Sequence, residues 1–176
     1  MATKPKVYHY CLSDLHLGHD KILSFCRPWF KTIQDHDDYI IEQINKTCTN
    51  QDYLWLLGDV AFTRDGLMRL KEVKCRLALI GGNHDEFSAD TYLRVFEQIR
   101  GVAQLNVTKD QQKKSVLLSH IPMHPDQMRW DYNIHGHLHT YHVGEEKYIN
   151  VSCEPMAFTP KKISDLLKLE ETNQND

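Results

Sequence analysis

The chain has 176 residues, 41% of them hydrophobic and 26% charged, with a formal net charge of −3. That length and apolar content suit one domain, argue against a disordered chain, and leave no basic excess for tracking duplex nucleic acid. Five cysteines (Cys11, Cys26, Cys48, Cys75, Cys153) form no CxxC pair and read as reduced thiols, no stretch approaches the roughly 18 apolar residues of a membrane span, and no secretion signal opens the chain, so a cytoplasmic setting is expected.

The segment 6–12 (KVYHYCL) is rich in strand-favouring residues and runs into Ser13 and Asp14, which predicts a buried first strand. From 35 to 48, acidic cap-type residues precede Tyr39, Ile40 and Ile44 at helical spacing, so a helix is expected there. Short apolar runs at 53–57 (YLWLL) and 76–80 (RLALI) stop at Gly58 and at Gly81 and Gly82, as buried strands do before polar loops. Between and after them, 66–74 and 90–100 place Leu67, Leu70 and Val73, then Tyr92, Val95, Phe96 and Ile99, on helical faces, which predicts two crossover helices.

The second half reads differently, with strands expected at 115–118, 132–134 and 148–151 and a closing helix at 161–169. No repeat or linker divides the chain, so residues 1–169 are expected to form one domain and 170–176 (EETNQND) a frayed polar tail. Strands alternating with helices, then mainly strands, predict an α/β layered sandwich.

Nearly every strand candidate is followed at once by residues that ligate metals. Asp14 and His16 stand in SDLHLGH, Asp59 in LLGDV, Asn83, His84 and Asp85 in GGNHD, His120 in LLSHIP, and His137 and His139 in HGHLH. Taken singly, Asp14 or Asp59 reads as a turn residue, His120 as a hydrogen-bonded core histidine, and Gly58, Gly82 and Gly136 either as tight-turn glycines or as points where backbone approaches a ligand. Taken together, parallel strands bring their carboxyl ends to one sheet edge, where a dinuclear centre would find its roughly seven ligands. Imidazole, carboxylate and amide oxygen without thiolate suit Mn, Zn, Fe or Ni.

The series DxH, GD, GNHD, an isolated SH and GHxH, spread over residues 10–151, resembles the signature of the calcineurin-like metallophosphoesterase family, and more narrowly its small bacterial and phage members. Those members also carry a GHxxIxxFCxRPF-like segment, matched here by 18–30 with Trp29 as an extra residue, and an NVS segment, matched by 150–152. The resemblance implies a four-layer α-β-β-α sandwich and two divalent ions, manganese first among them. It implies that Asp14, His16 and His139 hold one ion, that Asn83, His120 and His137 hold the other, and that Asp59 bridges them. It makes His84 the catalytic residue that assists the leaving oxygen. Asp85 either orients His84 or caps the next turn.

The expected activity is hydrolysis of a small nucleotide-like or cyclic phosphodiester, by attack of a hydroxide shared between the two ions. The alternatives are a phosphomonoesterase or pyrophosphohydrolase, a mononuclear amide or lactone hydrolase, and a non-catalytic metal-binding scaffold. Arg27 and His19, with His124 and Arg129, are candidate substrate contacts, and Trp130 and Tyr132 are either base-stacking or core residues.

Overall fold

In chain order, β1 (His9–Leu12) leads through α1 (Ile22–Phe25) and α2 (Ile33–Thr47) to β2 (Tyr53–Leu56), α3 (Arg64–Arg69), β3 (Arg76–Ile80), α4 (Ala89–Tyr92) and β4 (Gln98–Arg100). The second half comprises β5 (Ala103–Lys109), β6 (Gln112–Leu118), β7 (Tyr132–His135), β8 (Tyr148–Asn150), β9 (Lys161–Lys162) and α5 (Ile163–Leu166). These elements come from a computed structural model that describes residues 7–168; the tail 170–176 lies outside the described residues.

The strands form two sheets, ordered β4-β3-β2-β1-β9 and β5-β6-β7-β8. β1 to β4 run parallel and β9 joins antiparallel, while β6, β7 and β8 run parallel and β5 antiparallel. Alternation along β2 explains why its whole run is apolar, since successive side chains of a strand face opposite sides. Leu54 and Leu56 pack with Leu12, Leu77 and Leu79 beneath the helices, where α2 contributes Ile40, Ile41 and Ile44 and α3 contributes Leu67. Tyr53, Trp55 and Leu57 face the other way, onto Val116, Leu118 and Ile134 of the second sheet. The two sheets therefore pack face to face, and the fold is α/β with helices on the outer face of the first sheet. Among the described residues no helix is long and apolar enough to cross a membrane, and all five cysteines are free thiols.

Four expectations need correction. The helix predicted from 35 begins at Ile33, because Thr32 accepts a hydrogen bond from the Asp35 amide at 3.0 Å and supplies the cap. The helix predicted over 66–74 starts at Arg64, capped by Thr63, and its last turn tightens into a 3-10 turn at Leu70–Glu72. The helix predicted over 90–100 ends at Tyr92, and 98–100 instead pair with β3 as the edge strand β4. Tyr92 and Phe96 are buried in the helix-side core as their spacing suggested, but strand pairing of Gln98–Arg100 overrides the helical pattern. The closing helix is one turn, α5, because Lys161 and Lys162 pair with β1 first.

Both sheets end at one edge. The Ser13 amide donates to the Val151 carbonyl at 2.9 Å, and an isolated parallel bridge joins Ser13 to Ser152, so the loops after β1 and β8 meet. The Asp14 amide donates to the Gly58 carbonyl at 3.1 Å, bringing in the loop after β2. The Gly136 amide donates to the His120 carbonyl at 2.9 Å, tying the loops after β6 and β7.

Candidate metal centre

The loops that meet at this edge carry the predicted ligands, and two triads of ligand atoms assemble there. Asp14, His16 and His139 form one and Asp59, His120 and His137 the other, with the atoms of each triad within 4.8 Å of one another. His16 Nε2 and His139 Nε2 each stand 3.9 Å from Asp14 Oδ1, a separation suited to ligands sharing one ion. Asp14 Oδ1 and His16 Nε2 are buried without a hydrogen-bond partner, which is costly for an atom that no cation satisfies.

The second triad makes the same case through tautomers. The Leu57 carbonyl accepts from His120 Nδ1 at 2.7 Å, which leaves the Nε2 lone pair facing Asn83 Oδ1 at 2.9 Å, His137 Nδ1 at 3.2 Å and Asp59 Oδ1 at 3.5 Å. Lone pairs that converge in this way suit a cation between them. Asn83 therefore joins the second triad. Asp14 Oδ2 accepts from the His137 amide at 2.9 Å and so links the two groups.

The backbone is strained where the ligands sit. Asp14, His16, Asp59, His137 and His139 all have positive φ, between 48° and 67°, although none is glycine. Such conformations persist only where the surroundings enforce them, and they cluster at functional sites. The nearby glycines are explained by close approach. A Cβ on Gly82 would lie 2.3 Å from Asp59 Oδ1, and one on Gly136 would lie 2.5 Å from Asp14 Oδ2 and 1.9 Å from Ser13 Oγ. Neither has a positive φ, whereas Gly58, at φ 90°, requires both freedoms because its Cβ would lie 2.4 Å from His120 Nδ1.

His84 is exposed at the rim, with its ring centroid 5.0 Å from Phe62 and 6.3 Å from His16, and its amide donates to Asp59 Oδ1 at 2.9 Å. Asp85 neither orients that ring nor caps the turn after it. Its carboxylate accepts from the amides of Asp59 (2.9 Å), Val60 (3.0 Å) and Gly82 (2.8 Å), lacing the loops after β2 and β3 together. Burial, with Asp59 beside it, raises its pKa.

His19 remains at the rim, stacked on Phe62 at 3.8 Å and 3.4 Å from His16 between their Nδ1 atoms. Burial, then His84, lowers its pKa. Arg27 is placed otherwise than expected for a substrate contact: it is 0% exposed beneath the centre, because backbone carbonyls, His36 and Glu154 take up its donors. Arg129 folds back onto the carbonyls of Asp126 and Met128, while Tyr132 packs against the core between the sheets. His124 lines an open cavity of about 490 Å³ together with Asn83, His120, Val102 and Ile121.

No family model matches the chain. Over 155 residues it is 32% identical to the gene 66 protein of Mycobacterium phage D29, covering 73% of this chain and 76% of that protein. The chain belongs to the family of that phage protein. It is also 27% identical over 174 residues to an uncharacterized protein of Methanocaldococcus jannaschii, covering 92% of this chain and 90% of that one. The crystal structure of a protein of unknown function from Aquifex aeolicus shares the fold, with a TM-score of 0.68 and 24% identity over 88% of this chain and 95% of that chain.

Several residues not singled out as site residues make hydrogen bonds to the candidate ligands or to the loops that bear them. Glu154 Oε1 lies 3.0 Å from His139 Nδ1, and the Asn150 side-chain Nδ2 donates to the carbonyls of His139 (2.7 Å) and Tyr141 (2.9 Å), clamping the HGHLH loop. The Ser13 hydroxyl donates to the Leu57 carbonyl at 2.6 Å, the same oxygen that fixes His120. The histidine cluster itself divides. His137 and His139 enter the centre, His135 is buried with Nδ1 against the Gly136 carbonyl, and His142 is exposed.

Proposed function

We propose that this chain is a dinuclear-metal phosphoesterase of the calcineurin-like type, acting on small phosphodiesters. The observation that carries the reading is the pair of ligand triads with unpartnered, buried ligand atoms, Asp14 Oδ1 and His16 Nε2, at the edge where parallel strands end. The four-layer sandwich of that family belongs to the proposal as well; two face-to-face sheets and a helical layer support three of its layers.

Asp14, His16 and His139 would hold one ion and Asn83, His120 and His137 the other, with Asp59 between them. Manganese is the first candidate, and Zn, Fe or Ni also fit these ligands. Two such ions supply a nucleophile from water at neutral pH and neutralise charge on the phosphoryl oxygens. The protein supplies the rest. His84, exposed at the rim beside Phe62, donates a proton to the leaving oxygen or stabilises charge there. The Leu57 carbonyl and Glu154 each occupy the second nitrogen of a ligating histidine, so His120 and His139 present the other nitrogen in a fixed tautomer.

Chelated protein reloaded with Mn²⁺ is expected to hydrolyse a chromogenic phosphodiester faster than its monoester, with Asp59→Asn and His84→Ala inactive or nearly so. Metal binding without cleavage of either ester would overturn the enzymatic reading in favour of a scaffold. A monoester preferred over the diester would move the activity to phosphomonoesters.

A further inference from the structure

Arg27 lies in the segment 18–30, which the proposed chemistry leaves without a task. Its guanidinium lies over the Phe158 ring at 5.1 Å, and Nε donates to Glu154 Oε1 at 2.9 Å. Nη1 donates to the Leu15 carbonyl at 2.8 Å and to His36 Nε2 at 2.7 Å, and Nη2 donates to the Asp14 carbonyl. His36 passes the chain on, donating from Nδ1 to Asp37 Oδ1 at 2.7 Å, while Asp37 Oδ2 accepts from the Gly18 amide at 3.0 Å.

Burying a guanidinium with its carboxylate partner is a poor way to gain stability, because desolvation offsets most of the attraction. What the arrangement does is geometric. Two of its bonds hold the carbonyls of Asp14 and Leu15, the backbone that presents Asp14 and His16. Another holds Glu154, which accepts from His139 Nδ1 and leaves His139 Nε2 free, 3.9 Å from Asp14 Oδ1. All three ligands of one triad thus depend on one guanidinium. Among the described residues, no hydrogen bond joins Arg27 or Glu154 to Asn83, His120 or His137.

We infer that Arg27 and Glu154 are positioning residues for a single ion of the pair, the one held by Asp14, His16 and His139. The inference rests on the dinuclear reading and adds to it that Arg27 and Glu154 bond directly to the residues of one ion and not to those of the other. A carboxylate on the far nitrogen of a ligating histidine fixes its ring and strengthens its lone pair, and loss of such a partner typically weakens metal binding about 10–100-fold.

The test is a Mn²⁺ titration of chelated full-length protein followed by electron paramagnetic resonance, which counts free ion and distinguishes a coupled pair from a lone bound ion. Wild type is expected to bind two ions with a coupled spectrum. Glu154→Gln is expected to keep one ion at wild-type affinity and to bind the other about 10–100-fold more weakly, giving a lone-ion spectrum at concentrations that fill wild type. Should Glu154→Gln fail to fold, Glu154→Asp keeps the negative charge in the buried site beside Arg27 but shortens the side chain and so draws its carboxylate back from His139, and the same selective loss is expected. Equal weakening of both ions, or none, with wild type still binding two, overturns this inference alone. Wild type that binds fewer than two ions overturns the dinuclear reading, and this inference with it.

Discussion

Asp14, His16 and His139 depend on a buried guanidinium and its carboxylate partner, whereas Asp59 and His120 are held by Asp85 through backbone amides and by a backbone carbonyl. The first support is built from charges far apart in sequence, Arg27 and Glu154. The second is built almost wholly from the loops that bear the ligands. Charge-changing substitutions should therefore act selectively on the first half, while changes in backbone geometry should reach both.

The comparison breaks most completely at the residues shared by both halves. Asp59→Asn is expected to weaken both ions and to reduce turnover beyond the roughly 100-fold typical of losing only a ligand's supporting partner. His84→Ala is expected to lower turnover by about 10²–10⁴-fold with both ions retained, which parallel activity and metal analysis would show. Asp85→Asn comes next. Its carboxylate accepts from three amides, so the variant is expected to lose about 1–3 kcal/mol in denaturant unfolding and to weaken both ions, in contrast to Glu154→Gln.

The glycines sharpen the comparison, because Gly136 lies against Asp14 in one half and Gly82 against the shared Asp59. Gly136→Ala forces a methyl group onto Ser13 and Asp14, and Gly82→Ala forces one onto Asp59. Each is expected to cost about 1–3 kcal/mol of stability. Titration should then show the Gly136 variant weakening chiefly the Asp14 ion and the Gly82 variant weakening both.

The smallest effect is on pH dependence. Burial alone would raise the Glu154 carboxyl, but the His139 hydrogen bond and Arg27 outweigh it and bring the carboxyl from 4.5 to about 2. Burial pulls His139 the other way too, and the Glu154 bond leaves its pKa raised. A depressed carboxyl stabilises the fold above its ordinary value and loses that contribution as pH falls through the folded one. In chelated protein, the melting-temperature gap between wild type and Glu154→Gln should narrow as pH falls from 4.5 towards 2.

The comparison also explains what the sequence made legible. Asp14, His16, Asp59, Asn83, His120, His137 and His139 each follow a short apolar strand, and a ligand placed by its own strand end can be read from a local pattern. Glu154 and His36 cannot, since their roles exist only once Arg27 stands beneath the loops. Arg27 reads in sequence as a candidate substrate contact, because nothing local indicates that its donors turn inward. β5 carried a usable signal, with Ala103, Leu105 and Val107 alternating with polar residues, but its pairing with β6 is a hairpin that no strong turn sequence announces. The segment 98–100 reads as helix in sequence because its strand character comes from pairing with β3 rather than from its own residues.

The most direct measurement is anomalous diffraction from crystals of the protein grown with Mn²⁺. The account predicts two peaks about 3.5–4 Å apart, one among Asp14, His16 and His139 and one among Asn83, His120 and His137, with the Asp59 carboxylate between them. A single peak, or none at these residues, would contradict it.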